Sequence, residues 1–520
     1  MKKSFYLMAA FLVAMVGCNK EPQHGVGQDD ASGDAVYMSF KVSTLETKSS
    51  TEDDGTSDAN PDKEVGFANE NKIQMIDLIL VELDDQGAET ANVVRADNVT
   101  ASESQTDVYV ASFNKNENSV DLQEGNYNVY IYANADANET VNLVTDYTVV
   151  GADLKVAGGI AESDKFFMTS ASVKSATVSD LAAHTTPSTP LNLGTFDVQR
   201  AAARFDVATA EANTVFEIAD GVTLTITDVA LINRAKNFYD FKRVAAVVDA
   251  TPVLLGLETS NNWVVDYNWG AANTYHYPMA VNDEDTYPWV AVTALETADN
   301  WTNVDTEPTP AEEYYVLDYA AENTLKGIDA QKKGVTTGVV FRAKIEGALV
   351  TAAAGQPIYA FGNVLYGTWD TMAATAFAEG STLYALQAAI NSVSTKGTDG
   401  KYTLNADVDA ADLAAAGFTG YSAAADGSYF TTYYYWNRHN DNGNNDTMGI
   451  MEFAVVRNNV YKLAVTDIKK YGHPYNPDPN NPNPDPDPED PTDPDESVNY
   501  YFTVSVKVLP WIVRVNNIEF

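Results

Sequence analysis

From Tyr475 to Glu496 the chain reads YNPDPNNPNPDPDPEDPTDPDE, with no aliphatic or aromatic side chain after the tyrosine, so this stretch cannot pack onto a domain. Beyond it, Phe502, Val504, Val506 and Val508 alternate with Thr503, Ser505 and Lys507, the period-two pattern of a strand with one apolar face. Pro510 is expected to interrupt the ladder. Trp511, Val513 and Val515 then continue in the other phase, as a bulge or a break into two short strands requires. X-Pro repeats stay extended at ~3.1 Å per residue and their charges repel, which is expected to keep the strand from folding back on its own domain. An apolar strand on a polar spacer is suited to reach the sheet of another subunit.

At 520 residues the chain has room for two or three domains, and 45% hydrophobic residues supply a proper core. The formal net charge of −41 disfavours nucleic acid and electrostatic docking on anionic lipid; its plain reading is solubility of an exposed surface. Lys2 and Lys3 precede an apolar run, Phe5 to Val16, too short to span a bilayer, which reads as a signal peptide. The run ends Met15-Val16-Gly17-Cys18, which resembles a bacterial lipobox, and Cys18 is the only cysteine. The expectation is export as a lipid-tethered precursor.

Val36 to Val42 alternates as a strand, and from Ser49 to Asp62 the chain is an exposed loop with Lys48 at its edge. Further strands are expected at Ile73 to Leu83, Val108 to Phe113, Tyr127 to Asn134, Phe166 to Thr169 and Thr195 to Val198, with Leu181 to Pro190 as a boundary tract. A second region carries strands at Thr223 to Ile232, Tyr314 to Asp318, Gly338 to Ile345 and Val460 to Ile468, long irregular insertions such as Trp263 to Trp301, and one amphipathic helix at Thr382 to Val393. Antiparallel β-sandwiches are the natural architecture.

Cys18 in its lipobox, GNYNVYIYAN at 125–134, FFMTS at 166–170, VQRAAARFDV at 198–207, YYYWNRHNDN at 433–442, MEFAVVRNNVYKLAVTDI at 451–468, the Pro/Asp spacer and VKVLPW at 506–511 together resemble the Bacteroidetes fimbrillin superfamily. The resemblance is densest from Tyr433 onward and is closest to the major shaft subunit of short (Mfa-type, type V) fimbriae. It implies a mainly β chain with two tandem sandwich-like (transthyretin-like) domains and few helices. The implied division is a signal peptide (1–17), a propeptide with a removable first strand (18–48), N-terminal (49–195) and C-terminal (196–474) domains, a spacer (475–497) and a donor strand (498–520).

The resemblance also implies a course of events. The precursor is lipidated at Cys18 and held on the outer membrane. A trypsin-like protease cuts at Lys48–Ser49, removing the strand with Val36, Met38, Phe40 and Val42. The C-terminal strand of a neighbour, with Phe502, Val504, Val506, Val508, Pro510, Trp511, Val513 and Val515, then fills the groove of an extracellular fimbrium. Better-known members present arginine at that bond, so the lysine here calls for a lysine-tolerant protease or a cut elsewhere. The implied partners are further copies of the chain, accessory fimbrial subunits, the protease, and host or bacterial surface ligands in adhesion and biofilm formation; no cofactor is implied.

Enzyme signatures are not found. His24, His184, His276, His439 and His473 show no paired metal spacing, and neither a G-x-S-x-G elbow nor a phosphate loop appears. Asp441 to Asp446 (DNGNND) lacks the distal glutamate of a calcium loop and reads as a turn. Tyr433 to Trp436 reads as sheet-core aromatics before it reads as a sugar platform. Three rivals remain: an anchor subunit that keeps its lipid and first strand, a tip-associated subunit, which usually lacks a donating strand, and a glycan-binding surface lipoprotein, which needs those aromatics exposed.

Overall fold

The computed structural model describes residues 37–44, 64–105, 108–114, 122–135, 146–148, 159–219, 221–235, 237–245, 253–254, 263–265, 289–297, 314–324, 336–439, 451–474 and 502–512. In its N-terminal part the main strands are β1 (Tyr37–Thr44), β2 (Glu64–Val65), β3 (Met75–Leu83), β4 (Glu89–Gln105), β5 (Val108–Asn114), β6 (Gly125–Ala133), β7 (Met168–Ser170), β8 (Lys174–Val178) and β9 (Leu191–Arg200). All but β2 join one eight-stranded sheet in the order β3-β4-β5-β1-β9-β7-β6-β8. Because β3 also pairs with β6, the ladder closes on itself, and the expected sandwich is a sheet wrapped round its own core. Met38, Phe40, Ile79, Val129, Ile131, Phe166 and Val198 fill that core.

The strands of the two main C-terminal sheets include β10 (Ala202–Ala208), β11 (Val215–Ala219), β12 (Val222–Ile232), β13 (Tyr314–Ala321), β14 (Gly338–Gly347), β15 (Tyr429–Trp436), β16 (Asn459–Ile468), β17 (His473–Pro474) and β18 (Phe502–Ile512). They form a five-stranded sheet, β13-β10-β16-β18-β2, and a six-stranded sheet running β11-β12-β14-β15-β17, with Val290–Ala291 pairing beside β12. Phe205, Leu463 and Val465 from the first sheet share a core with Leu224, Phe341 and Tyr433 from the second, so this half is a true sandwich. The chain passes from one half to the other at Ala201, between β9 and β10, rather than in the tract before Pro190.

Residues 348–421 form an insertion between β14 and β15: Val350, Ile358, Leu365 and Tyr421 pack into the sandwich core, while Trp369, Met372, Leu386, Ile390 and Phe418 belong to a small core of its own. After the four-residue helix α1 (Ala68–Asn71) near the N-terminus, the longer helices α2 (Trp369–Ala376) and α3 (Tyr384–Val393) lie here, burying Met372, Ala376, Leu386 and Ile390 against each other. The Thr368 hydroxyl caps α2 by accepting from the Thr371 N–H at 3.3 Å. The sequence announces α3, whose apolar residues recur at helical spacing, two residues too early; α2, at eight residues, is too short to show a period.

Two expectations about the C-terminal strand are corrected. β18 does fold back, pairing antiparallel with β16 from Ile468↔Phe502 to Asn459↔Pro510. The physical reason is that β16 presents an edge beside β10, and a polar spacer does not decide where the strand beyond it docks. The strand also runs through Pro510 without a break; the irregularity lies in its partner, between Val465 and Asp467. Proline is tolerated there because Asn459↔Pro510 is the last pair of that ladder.

His473 introduces a pH dependence. Its ring sits edge-on to Tyr434 at 5.5 Å, and burial lowers its pKa to about 4 from an ordinary 6.5. Between those values the unfolded chain takes up a proton that the folded one refuses, so stability falls as pH drops from about 6.5 to about 4. The expected loss is on the order of 1–3 kcal/mol, and urea melts of His473→Gln should lack this component.

Candidate functional site

The seats of β1 and β18 differ in one decisive respect. β1 is an interior strand, antiparallel to β5 from Tyr37↔Asn114 to Ser43↔Val108 and parallel to β9 from Met38↔Leu191 to Thr44↔Val198. Met38, Phe40 and Val42 are at most 1% exposed, whereas Lys41 is exposed. The Phe40 ring meets the Phe196 ring edge-on at 6.4 Å, and Val42 stands opposite Tyr109 and Phe196. Each buried side chain of this kind contributes roughly 1.5–3 kcal/mol. Without β1, both β5 and β9 would present an open edge over an apolar channel.

β18 is held on one side along most of its length. Beyond its ladder with β16, its other neighbour among the described residues is β2, which touches it through Glu64↔Trp511 and Val65↔Ile512. β1 and β2 belong to one N-terminal segment and are separated by residues 45–63, whose basic residues are Lys48 and Lys63. One continuous stretch therefore closes the channel with β1 and borders the C-terminal strand with β2.

A buried charge cluster fixes the geometry around both seats. Two residues after β2, Phe67 leads into α1, where its N–H donates to Glu70 Oε2 at 2.6 Å. Arg204 on β10 donates to the same Oε2 at 3.0 Å and, through Nε and the second terminal nitrogen, to both Asp206 oxygens at 2.9 and 3.0 Å. The Tyr319 hydroxyl donates to Glu70 Oε1 at 2.6 Å. Arg200, the last residue of β9, donates to the Glu70 carbonyl at 3.1 Å and to Asn458 Oδ1 at 3.1 Å, immediately before β16. The channel wall, the segment after β2 and the root of the C-terminal strand's seat thus meet in one network. Burial pushes the Glu70 carboxyl up, opposed by the charges of Arg204 and Arg200, and drives Tyr319 well above its ordinary value. A second buried pair, Arg457 with Glu322 at 3.1 Å, ties the same region to the Asp240 carbonyl at 2.8 Å.

Of the residues singled out by sequence, Met38, Phe40 and Val42 come together in the channel, and Phe502, Val504, Val506, Val508, Pro510 and Trp511 lie on β18. Cys18, Val36, Lys48, Ser49, Val513, Val515, His24, His276 and the 441–446 stretch lie outside the described residues. Tyr433 is 1% exposed and its hydroxyl donates to the Lys470 carbonyl at 3.0 Å, so the aromatic run begins in the sandwich core. Tyr434 and Trp436 are half-buried and stack at 6.3 Å. His439 is buried, with Nδ1 2.8 Å from the Tyr461 hydroxyl, and His184 is half-buried, with Nδ1 2.8 Å from the Thr189 carbonyl. The charge cluster was missed. Its signal was present in Arg200 and Arg204, two cations inside a run of alanines and apolar residues that is otherwise fit for burial.

Residues 428–517 match the family model for the C-terminal region of fimbrillin, the major fimbrial subunit protein type IV. No curated protein matches the chain. Among solved structures, a candidate cell adhesion protein from Parabacteroides distasonis aligns with TM-score 0.38 and 11% identity, covering 93% of this chain and 99% of its own. A fimbrilin from Porphyromonas gingivalis aligns with TM-score 0.34 and 12% identity over 92% and 98%. The tip fimbrial protein of the same organism aligns with TM-score 0.32 and 9% identity over 92% and 100%.

Proposed function

We propose that this chain is a structural subunit of a bacterial surface fimbrium, exported as a lipidated precursor and assembled when the C-terminal strand of one copy replaces β1 in the next. Its role is mechanical and adhesive, not catalytic. The family matched over 428–517 is one of fimbrial subunits, in keeping with that role.

The observation that carries the reading is the inequality of the two seats. β1 is paired on both sides, and β18 on one side for most of its length. Once β1 is lost, moving β18 into the vacated channel breaks the β16 ladder and the short contact with β2, and makes two full ladders, with β5 and β9. At ~1 kcal/mol net per backbone hydrogen bond, the gain is a few kcal/mol before side chains are counted. Cutting between Thr44 and Glu64 removes the covalent link that holds β1 to the fold, leaving it attached by its ladders alone. The new N-terminus stays anchored from Phe67 onward through Glu70. A fully extended Pro-rich chain rises ~3.1 Å per residue, so the length of chain between Pro474 and Phe502 would suffice for roughly 80 Å, ample to cross to a neighbour.

The shaft role is favoured over a tip role by the apolar strand that follows the Pro/Asp-rich spacer, and over an anchor role by the basic residue Lys48 between β1 and β2. The test is intact-mass analysis and N-terminal sequencing of protein sheared from cells. A start at Ser49 is expected, with Lys48→Ala retaining residues before it. Fibres whose subunits all keep β1 would contradict the proposal.

A further inference from the structure

Read side by side, Val36 to Val42 is VYMSFKV and Phe502 to Val508 is FTVSVKV. Apolar residues occupy the same alternate positions, Ser39 coincides with Ser505, Lys41 with Lys507 and Val42 with Val508. On the exchange reading above, on which this inference rests, we infer that the C-terminal strand of a second copy enters the channel with the polarity of β1, residues 504–508 taking the positions of residues 38–42.

Three observations point to this register. The apolar positions of β1 in the match, Met38, Phe40 and Val42, are the ones buried in the channel, and Lys41 at the polar position is exposed. A slip by one residue would carry every apolar side chain to the wrong face. On its own sheet, β18 sets Val504, Val506 and Val508 opposite Val465, Leu463 and Tyr461, all buried, so the phase that suits one seat suits the other. The proline restricts the choice further. In this register Pro510 takes the position of Thr44, which pairs with Val198 on β9 but lies past the last β5 pair, Ser43↔Val108. Two residues deeper, Pro510 would stand at the position of Val42, between β5 and β9, where a missing N–H breaks an interior ladder.

The strand in this register is also a looser plug than β1. Val506 stands where Phe40 meets Phe196, and Val504 stands where Met38 does, so side-chain volume is lost at both positions. The exchange is therefore favoured by removal of β1 and by the second ladder, and an intact precursor keeps its own strand.

Thiol pairs read the register directly, because Cys18 is the only native cysteine and leaves with the propeptide. Full-length chains bearing Lys507→Cys and Val110→Cys separately are co-expressed, and sheared filaments are oxidised and run on non-reducing gels. β1 sets Lys41 opposite Val110 and Ser39 opposite Ser112, so dimer bands are expected from Lys507→Cys with Val110→Cys and from Ser505→Cys with Ser112→Cys. A band from Ser505→Cys with Val110→Cys would overturn the inference, since a reversed strand or a two-residue slide toward Val108 brings those two together. Filaments with none of the three bands would overturn it as well. An intrachain disulfide in intact filaments between Lys507→Cys and Lys462→Cys, opposite one another in the fold-back ladder, would instead sink strand exchange itself.

Discussion

Aspartate at both Val504 and Val506 abolishes filaments while the precursor still folds. In the channel these positions face a core to which Tyr109, Phe196 and Val198 contribute, each at most 4% exposed. An unpaired carboxylate there costs several kcal/mol, against a net gain of ~1 kcal/mol per backbone bond. Two of them outweigh the extra ladder that would drive the proposed exchange. The precursor survives because β13, β10 and β16 remain paired with one another and β1 still closes its own channel. Thr503→Asp, in the opposite phase, should leave filaments intact. Electron microscopy of the cell surface and size-exclusion chromatography of the precursor read both halves of the result. Normal fibres from the double aspartate variant would contradict the account.

Arg204→Ala destabilises the chain by about 3–5 kcal/mol, because it strands Glu70 and Asp206 in a site where neither is more than 3% exposed. The loss exceeds that of an exposed salt bridge, such as Lys72 with Asp164, for which truncation is worth ~1 kcal/mol or less. Removing charge from both sides, as in Glu70→Gln with Arg204→Met, should recover part of the loss, since the penalty belongs to the uncompensated carboxylates rather than to a missing attraction. Urea denaturation of the two variants and the parent measures this. Equal stability of Arg204→Ala and the parent would mean that the cluster does not tie α1 to β10.

Much of the strand content was legible because these strands carry β-branched and aromatic residues between turn residues: β6, β12, β14 and β16 begin and end within two residues of where the sequence puts them. Strands shaped by their neighbours were harder to see. β4, ETANVVRADNVTASESQ, mixes polar and small residues along its length, and its seventeen residues pair with β3 and then with β5. β1 was readable from Met38, Phe40 and Val42, but not that it lies parallel to β9, since pairing across some 150 residues leaves no local trace. The fold-back of β18 escaped for the same reason: its spacer says how far the strand can reach, and only the edge of β16 says where it rests in the precursor. Arg200 and Arg204 were visible as a motif, yet their partners Glu70, Asn458 and Tyr319 are scattered over the chain and meet only in the folded molecule.

The central claim is tested most directly by separating donor from acceptor. A chain ending at residue 499 that has been cut between residues 45 and 63 is expected to accept a strand but offer none. A full-length chain with Lys48→Ala and Lys63→Ala can offer a strand but keeps β1. Each alone should run as a monomer by light scattering coupled to size exclusion, and an equal mixture should stop at a one-to-one dimer. Polymerisation of either partner alone, or a mixture that stays monomeric, would show that β1 and the C-terminal strand do not trade places.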